Sequence, residues 1–275
     1  MVKSIVDCAT LSNGVKMPWL GFGTFKVSDG KQVVDSVKEA LRLGYRHIDT
    51  AAVYKNEEGV GLGIKDSGIA REEIFLTSKV WNSDQGYEST LKAFETSINK
   101  LGTDYLDLYL IHWPKALNRE TWKALEKLYK DGCVRSIGVS NFKVHHLEDL
   151  KQVSEITPMV NQVEFHPQFP QDEVLAYCKK NDIQLEAWGP LMQGKIFDIP
   201  VMKELSEKYN KSISQLALRW DLQMGVVTIP KSVNPIRIEE NMKIFDFEIT
   251  SEDMEKIASI NTGERIGPDP DLITF

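Results

Sequence analysis

Residues 105–140 read YLDLYLIHWPKALNRETWKALEKLYKDGCVRSIGVS. Leu106 to His112 is a nearly all-apolar run of strand length. A segment of helical period follows near 119–131, and Val134 to Ser140 is a second β-rich run. Strands that are apolar on both faces are buried on both faces, which is the habit of parallel sheets whose crossovers are helices. The stretch is therefore read as one strand–helix–strand unit, and the same alternation continues in both directions.

Toward the N-terminus, Ile74 to Val80 is a strand followed by a helix near 87–101. Before it, Arg46 to Asp49 is a strand followed by a helix near 57–66, and Leu20 to Gly23 is a short strand followed by a helix near 30–43. A hairpin precedes them all, with Ala9–Leu11 and Val15–Met17 flanking Ser12-Asn13-Gly14, since an Asn-Gly step suits a tight turn. Toward the C-terminus come Met159–Glu164 with a helix near 171–180, then Gln184–Trp188 with helical stretches near 200–223. Val226–Pro230 follows with helices near 235–242 and 251–260, and a helix near 144–152 sits after Ser140. Eight strands alternating with helices predict an α/β fold of the (β/α)8 barrel type, with an N-terminal β-hairpin and extra C-terminal helices. An open doubly wound sheet would usually carry G-x-G-x-x-G after its first strand. Neither the glycines at 21 and 23 nor those at 59, 61 and 63 have that spacing.

Composition agrees. The 275 residues are 42% hydrophobic and 27% charged, ordinary for a globular chain. A net charge of −7 argues against general nucleic-acid or anionic-membrane binding. Cys8, Cys133 and Cys178 are odd in number and far apart, which reads as reduced thiols and not as a disulfide frame or a zinc site. No signal peptide, membrane span, low-complexity stretch or linker is visible, so a single domain over 1–275 in the cytoplasm is expected.

In such barrels the site lies where the strands end. The second, third and fourth strands deliver Asp49 with Tyr54, Lys79, and His112 to one rim. A free tyrosine has a pKa of about 10, too high for a poised acid. A Lys79 ammonium nearby would lower it, Asp49 would hold that ammonium, and His112 could orient a carbonyl oxygen. Each residue alone also fits a structural part: a buried ion pair, a packed tyrosine, a satisfied histidine. Four on adjacent strands favour a site, because unpaired buried polarity is costly. The far rim offers Ser140, Asn141, Gln162 and Trp188, then Lys231, Ser232 and Arg237 at a helix start. That set suits a phosphate-bearing nucleotide, although capping and solvated surface charge explain it equally.

The segments GYRHIDTAAVYKNEEGVG, FLTSKVWN, LDLYLIHWP, GVSNF, NQVEFHP, IPKSV and GPDPD together resemble the aldo-keto reductase superfamily. The likeness is strongest to the bacterial branch of 2,5-diketo-gluconate and glyoxal or methylglyoxal reductases. The resemblance implies a barrel that binds NADPH/NADP+ without a Rossmann motif and reduces small aldehydes, α-dicarbonyls and ketones. It places the catalytic tetrad on Asp49, Tyr54, Lys79 and His112, with Tyr54 as general acid. It places nicotinamide contacts on Ser140, Asn141 and Gln162, and the stacking aromatic on Trp188. The pyrophosphate loop falls on Gly189 to Gly194, including Leu191 and Gln193, with Gly23 and Thr24 also at the cofactor. The 2′-phosphate contacts fall on Lys231, Ser232 and Arg237 with Val233 beside them, and Glu240 and Asn241 lie near the adenine. Phe25, Trp81, His112 and Trp113 are expected at the substrate.

The chain departs from the family pattern in places. Trp188 stands where tyrosine is common and Gly189 where serine is usual. The loop after His112-Trp113-Pro114 and the C-terminal tail are short, so an open pocket of broad specificity is expected. A monomer with a small-molecule partner is the expected state. A metal-dependent hydrolase is disfavoured, since no H-x-H follows the first strand. His145 and His146, adjacent on a helix, should point about 100° apart, from about 3.6 residues per turn. A non-catalytic nucleotide-sensing protein on the same barrel is the alternative.

Overall fold

A computed structural model describes residues 2–275. The N-terminal hairpin pairs β1 (Cys8–Thr10) with β2 (Lys16–Pro18). Eight strands form the second sheet: β3 (Phe22–Gly23), β4 (His47–Asp49), β5 (Phe75–Val80), β6 (Leu108–Ile111), β7 (Ile137–Ser140), β8 (Val160–Glu164), β9 (Gln184–Trp188) and β10 (Val227–Thr228). They lie in chain order and every pairing is parallel. The sheet closes on itself through a parallel bridge between Leu20 and Thr228. Gly21 donates to Thr228 O at 2.9 Å, and Gly23 donates to Pro230 O at 3.1 Å.

The helices are α1 (Lys31–Leu43), α2 (Glu57–Ser67), α3 (Tyr87–Leu101), α4 (Asn118–Lys130), α5 (Val144–Lys151), α6 (Asp172–Lys180), α7 (Pro200–Tyr209), α8 (Ile213–Gln223), α9 (Pro235–Met242) and α10 (Ser251–Ala258). The expected barrel, hairpin and C-terminal helices are all present. The first and last barrel strands are shorter than their apolar runs. Pro230 has no N–H to extend the ladder, and Leu20 pairs only through the closing bridge. Gly21 sits at that seam because a Cβ there would stand 2.7 Å from His47 Nδ1 and 2.8 Å from Ile229 Cγ2.

The hairpin packs at the end where the strands begin. Met17 is fully buried, and Asn13 donates to Arg135 O just before β7. The other end is left for chemistry. Because side chains alternate along a strand, β4 sends His47 and Asp49 inward, β5 sends Thr77 and Lys79, and β8 and β9 send Gln162 and Glu186. All six are buried. After α10 the chain returns across this end. Ile266 and Gly267 donate their N–H groups to Glu164 Oε1 at 2.5 and 3.2 Å, and Lys143 reaches Asp269 and Asp271 at 2.5 and 2.6 Å.

Candidate active site

Asp49 ends β4 in register with Thr77 of β5, and Lys79 is the next inward-facing position along β5, so its long side chain reaches the Asp49 carboxylate inside the barrel. Lys79 Nζ lies 2.7 Å from each Asp49 oxygen and donates to Thr50 O at 2.9 Å. Burial works to lower the ammonium's pKa, but Asp49 and Tyr54 outweigh it and the net shift is upward. Tyr54 follows on a single 3-10 turn, Ala52–Tyr54. That turn is braced by Asn56, which accepts from Thr50 Oγ1 and donates to Thr24 O and Val27 O. Lys79 Nζ stands 5.2 Å from the centre of the Tyr54 ring.

The sequence suggested a lowered tyrosine. Lys79 does pull in that direction, but burial is the larger effect, and Tyr54 is pushed up to about 12. It is thus a protonated phenol at neutral pH, with a cation placed for the phenolate. His112, just past β6, packs its ring 5.8 Å from Tyr54 and 5.1 Å from Trp81. Burial, then Lys79, holds it well below the usual histidine range, so it is a neutral imidazole. Its Nδ1 has no hydrogen-bond partner among the described residues.

A cavity of about 680 Å³ opens above these groups. Asp49, Tyr54 and His112 line it, and so do Gly23, Ser140, Asn141, Gln162, Trp188, Gly189, Leu191, Gln193 and Lys231. Phe25, Trp81 and Trp113 form its aromatic side. Asn141 adopts φ 66, a left-handed conformation that asparagine tolerates, and this turns its amide inward. Its Nδ2 donates to His112 O and Ser140 Oγ, and its Oδ1 accepts from Trp188 Nε1 at 2.8 Å. Tryptophan at 188 therefore ties the cavity floor to the His112 backbone. Met192, Gln193 and Gly194 all take positive φ, which curls the loop after β9 around the cavity mouth.

Thr24 departs from expectation. It is fully buried and does not line the cavity; its hydroxyl and N–H both donate to Asp49 O. Gly194, Ser232, Val233, Arg237, Glu240 and Asn241 also lie beyond the cavity wall, Ser232 before α9 and the last three on it. Arg237 is exposed and Asn241 is buried.

The aldo/keto reductase family model matches residues 19–262. The chain belongs to that family. It is 62% identical over 276 residues to the glyoxal reductase of Bacillus subtilis (strain 168), with 100% of both chains covered. It is 46% identical over 266 residues to the methylglyoxal reductase DkgA of Salmonella typhimurium, covering 95% of this chain and 96% of the relative. Among solved structures, an aldo-keto reductase from a Medee basin deep-sea metagenome superposes with a TM-score of 0.95 at 49% identity, covering 97% and 100% of the two chains. A Gox0644 variant in complex with NADPH superposes with a TM-score of 0.93 at 43% identity, covering 98% of each.

Three features of this aldo/keto reductase escape the sequence reading. The tail is short, yet it covers the pocket. Ile266, Gly267, Pro268 and Phe275 line the cavity, and the Phe275 ring stacks on Trp81 at 5.8 Å and 4°. Gly267 allows this approach, because a Cβ there would lie 2.3 Å from Trp188 Cη2. Second, His145 and His146 do not diverge. Their rings are 4.0 Å apart, and both Nε2 atoms turn to Asp271 of the tail, at 3.0 and 3.2 Å. The Lys143 N–H donates to His146 Nδ1, so neutral His146 carries its hydrogen on Nε2, the atom that lies beside Asp271, while His145 Nε2 is hydrogen-bonded to Asp271 Oδ1. With the Lys143 ammonium on Asp271 as well, the cluster reads as a latch for the tail and not as a metal centre. Third, Lys26 lines the cavity, and its charge helps push Lys231 down after burial has done so. A lysine three residues past the first barrel strand is its trace in the sequence.

Proposed function

We propose that this chain reduces small aldehydes, α-dicarbonyls and ketones to alcohols with NADPH. The carrying observation is the buried Asp49–Lys79 pair beside a protonated Tyr54 and a neutral His112, opening on an aromatic cavity. When bound, the cofactor supplies a hydride to the carbonyl carbon. Tyr54 gives its hydroxyl proton to the carbonyl oxygen in the same step. The phenolate left behind faces the Lys79 ammonium, which Asp49 holds in place. His112, neutral in either hydrogen-bonding role, orients the carbonyl.

The far rim fits a nucleotide. Lys26 and Lys231 stand close together without a carboxylate partner among the described residues, and burial and mutual repulsion push Lys231 down. An anion between them would relieve that repulsion. Ser140, Asn141 and Gln162 offer amide and hydroxyl groups to the nicotinamide carboxamide, and Trp188 offers a face to its ring. The loop from Gly189 to Gly194 would wrap the pyrophosphate. Lys231, Ser232 and Arg237 would read the 2′-phosphate, with Val233 beside them and Glu240 and Asn241 toward the adenine. Gly23 would admit the backbone close to the cofactor. Phe25, Trp81, Trp113 and His112 would hold the substrate.

The similarity to glyoxal and methylglyoxal reductases favours α-dicarbonyls within that substrate class. We read the chain as one domain over 1–275, working as a cytoplasmic monomer; no helix among the described residues is long and apolar enough to cross a membrane. The test follows reduced-nicotinamide absorbance with a panel of small carbonyls. Consumption of NADPH with methylglyoxal and simple aldehydes is expected. Tight NADPH binding without turnover of any carbonyl would instead identify a nucleotide-sensing protein.

A further inference from the structure

Beneath Asp49 the barrel holds a carboxyl group that this reaction does not use. Glu186 is fully buried in β9, in register with Gln162 of β8 and Val227 of β10. Gln162 Nε2 donates to Asp49 Oδ2 at 2.8 Å and to Glu186 Oε2 at 2.9 Å. Both amide hydrogens are thus held, one by each carboxyl group. Gln162 lines the cavity, and its Oε1 has no partner inside the chain among the described residues. An amide pinned by two separate acceptors cannot turn over without breaking both bonds.

We propose that Glu186 is a positioning residue: with Asp49 it locks the Gln162 amide so that the carbonyl oxygen, and not the NH2 group, faces the cavity as acceptor for the nicotinamide carboxamide. This rests on the nicotinamide site proposed above. The carboxamide is the group by which a protein tells the two faces of the nicotinamide ring apart. A Gln162 amide free to turn over would present NH2 to a carboxamide NH2 for part of the time, and the ring would lose its fixed face.

The surroundings of Glu186 support this. Asp49 and His47 face it from β4 and Lys79 from β5, while β8 contributes the neutral Gln162 and β10 the apolar Val227. Burial, then Asp49, pushes the Glu186 carboxyl well above the usual carboxylate range, which favours its protonated, neutral form. It still accepts through Oε2, and its Oε1 lies 3.5 Å from His47 Nε2. His47 is pushed down to about 3 by burial and is neutral. A neutral acid has a close chemical mimic in glutamine, which keeps an acceptor for Gln162; leucine fills the volume without one.

The test compares wild type, Glu186→Gln and Glu186→Leu as full chains. NADPH carrying deuterium on one face of C4 is used with methylglyoxal, and deuterium in the product is measured alongside KM for NADPH. For Glu186→Leu, transfer from the wrong face and KM for NADPH should each rise about tenfold, the scale of one lost hydrogen bond. Glu186→Gln should restore both. A folded Glu186→Leu enzyme with native face selectivity and native KM would overturn the proposal, as would a Glu186→Gln enzyme as impaired as the leucine variant. Should the leucine variant not fold, Glu186→Ala gives the same comparison. NADPH affinity read from Trp188 quenching separates the two claims. If wild type turns over no carbonyl, the proposed activity falls, while weaker NADPH binding in Glu186→Leu still tests the role of Glu186.

Discussion

The two halves of the barrel rim are built differently. On β4 and β5 the charges are answered inside the chain: Lys79 is saturated by Asp49 and Thr50 O, and Asp49 is held again by Gln162. Around β10 and α9 the cations go unanswered inside the chain, Lys231 at the cavity wall and Arg237 outside it. Lys231 and Arg237 are exposed, and neither forms an ion pair among the described residues. The first arrangement is fixed before any ligand arrives, in a medium where charges act strongly. The second is screened by water and salt until an anion displaces them. Changes in the first half should therefore strike turnover, and changes in the second should strike cofactor affinity.

The sharpest way to break that contrast is at Tyr54. Tyr54→Phe should lower kcat by about 10²–10⁴-fold, the range of a general acid, with NADPH affinity nearly kept. An enzyme within about threefold of wild type would mean that another group gives the proton. Lys79→Met should come close behind in kcat, because the phenolate loses its cation. It should also destabilise the fold, by about 3–5 kcal/mol, since Asp49 is left buried and unpaired. The double variant should be little slower than either single one, because the two residues act on one proton; additive losses in single-turnover rates would show that they work independently.

On the other half the effects should be smaller and of another kind. Arg237→Ala and Lys231→Ala should each weaken NADPH about tenfold while barely moving NADH, because one charge-assisted hydrogen bond to the extra phosphate is lost. Raising ionic strength should shrink the NADPH effect. Titrations of both cofactors at low and high salt decide this. Equal losses for NADPH and NADH would mean that these side chains do not read the 2′-phosphate, and the contrast between the halves would need another cause.

The same division governs what the sequence could reveal. The barrel was legible because buried parallel strands are apolar on both faces, and β9 and α3 fall at the bounds the pattern suggests. The clustering of Asp49, Tyr54, Lys79 and His112 was legible because they stand at or just past the ends of three neighbouring strands. Long-range packing was not. Nothing in residues 266–275 says that Phe275 lies on Trp81, because the tail is held by groups far away along the chain: Glu164 accepts from Ile266 and Gly267, Lys115 donates to Ile273 O, and Asn82 donates to Phe275 O. Nor could spacing show Thr24 turned onto the Asp49 carbonyl, since a two-residue strand leaves inward and outward undecided. The net direction at Tyr54 needed burial, which a list of neighbours along the chain does not contain. Glu186 did leave a trace: a carboxyl in the otherwise apolar run Leu185 to Trp188.

The smallest effect follows from that carboxyl and tests how closed the preformed half is. Glu186 has an ordinary value of 4.5 and stands at about 8 in the folded chain. The folded state therefore holds a proton that the unfolded state releases between those values. Stability tied to Glu186 is fully present below pH 4.5 and is lost as pH rises toward 8. His47 works on the acid side. Its value falls from 6.5 to about 3, so its share is present above pH 6.5 and is lost as pH falls toward 3. In Glu186→Gln the alkaline loss should vanish and the acid loss should remain. The melting temperature of Glu186→Gln relative to wild type should thus climb from pH 5 to pH 8 and level off above it, where Glu186 would sit charged beside Asp49 and 3.5 Å from His47. A difference that stays flat across this range would mean that Glu186 ionises at its ordinary value. Water would then reach the barrel interior, and the preformed half would be no better closed than the rim that holds Arg237.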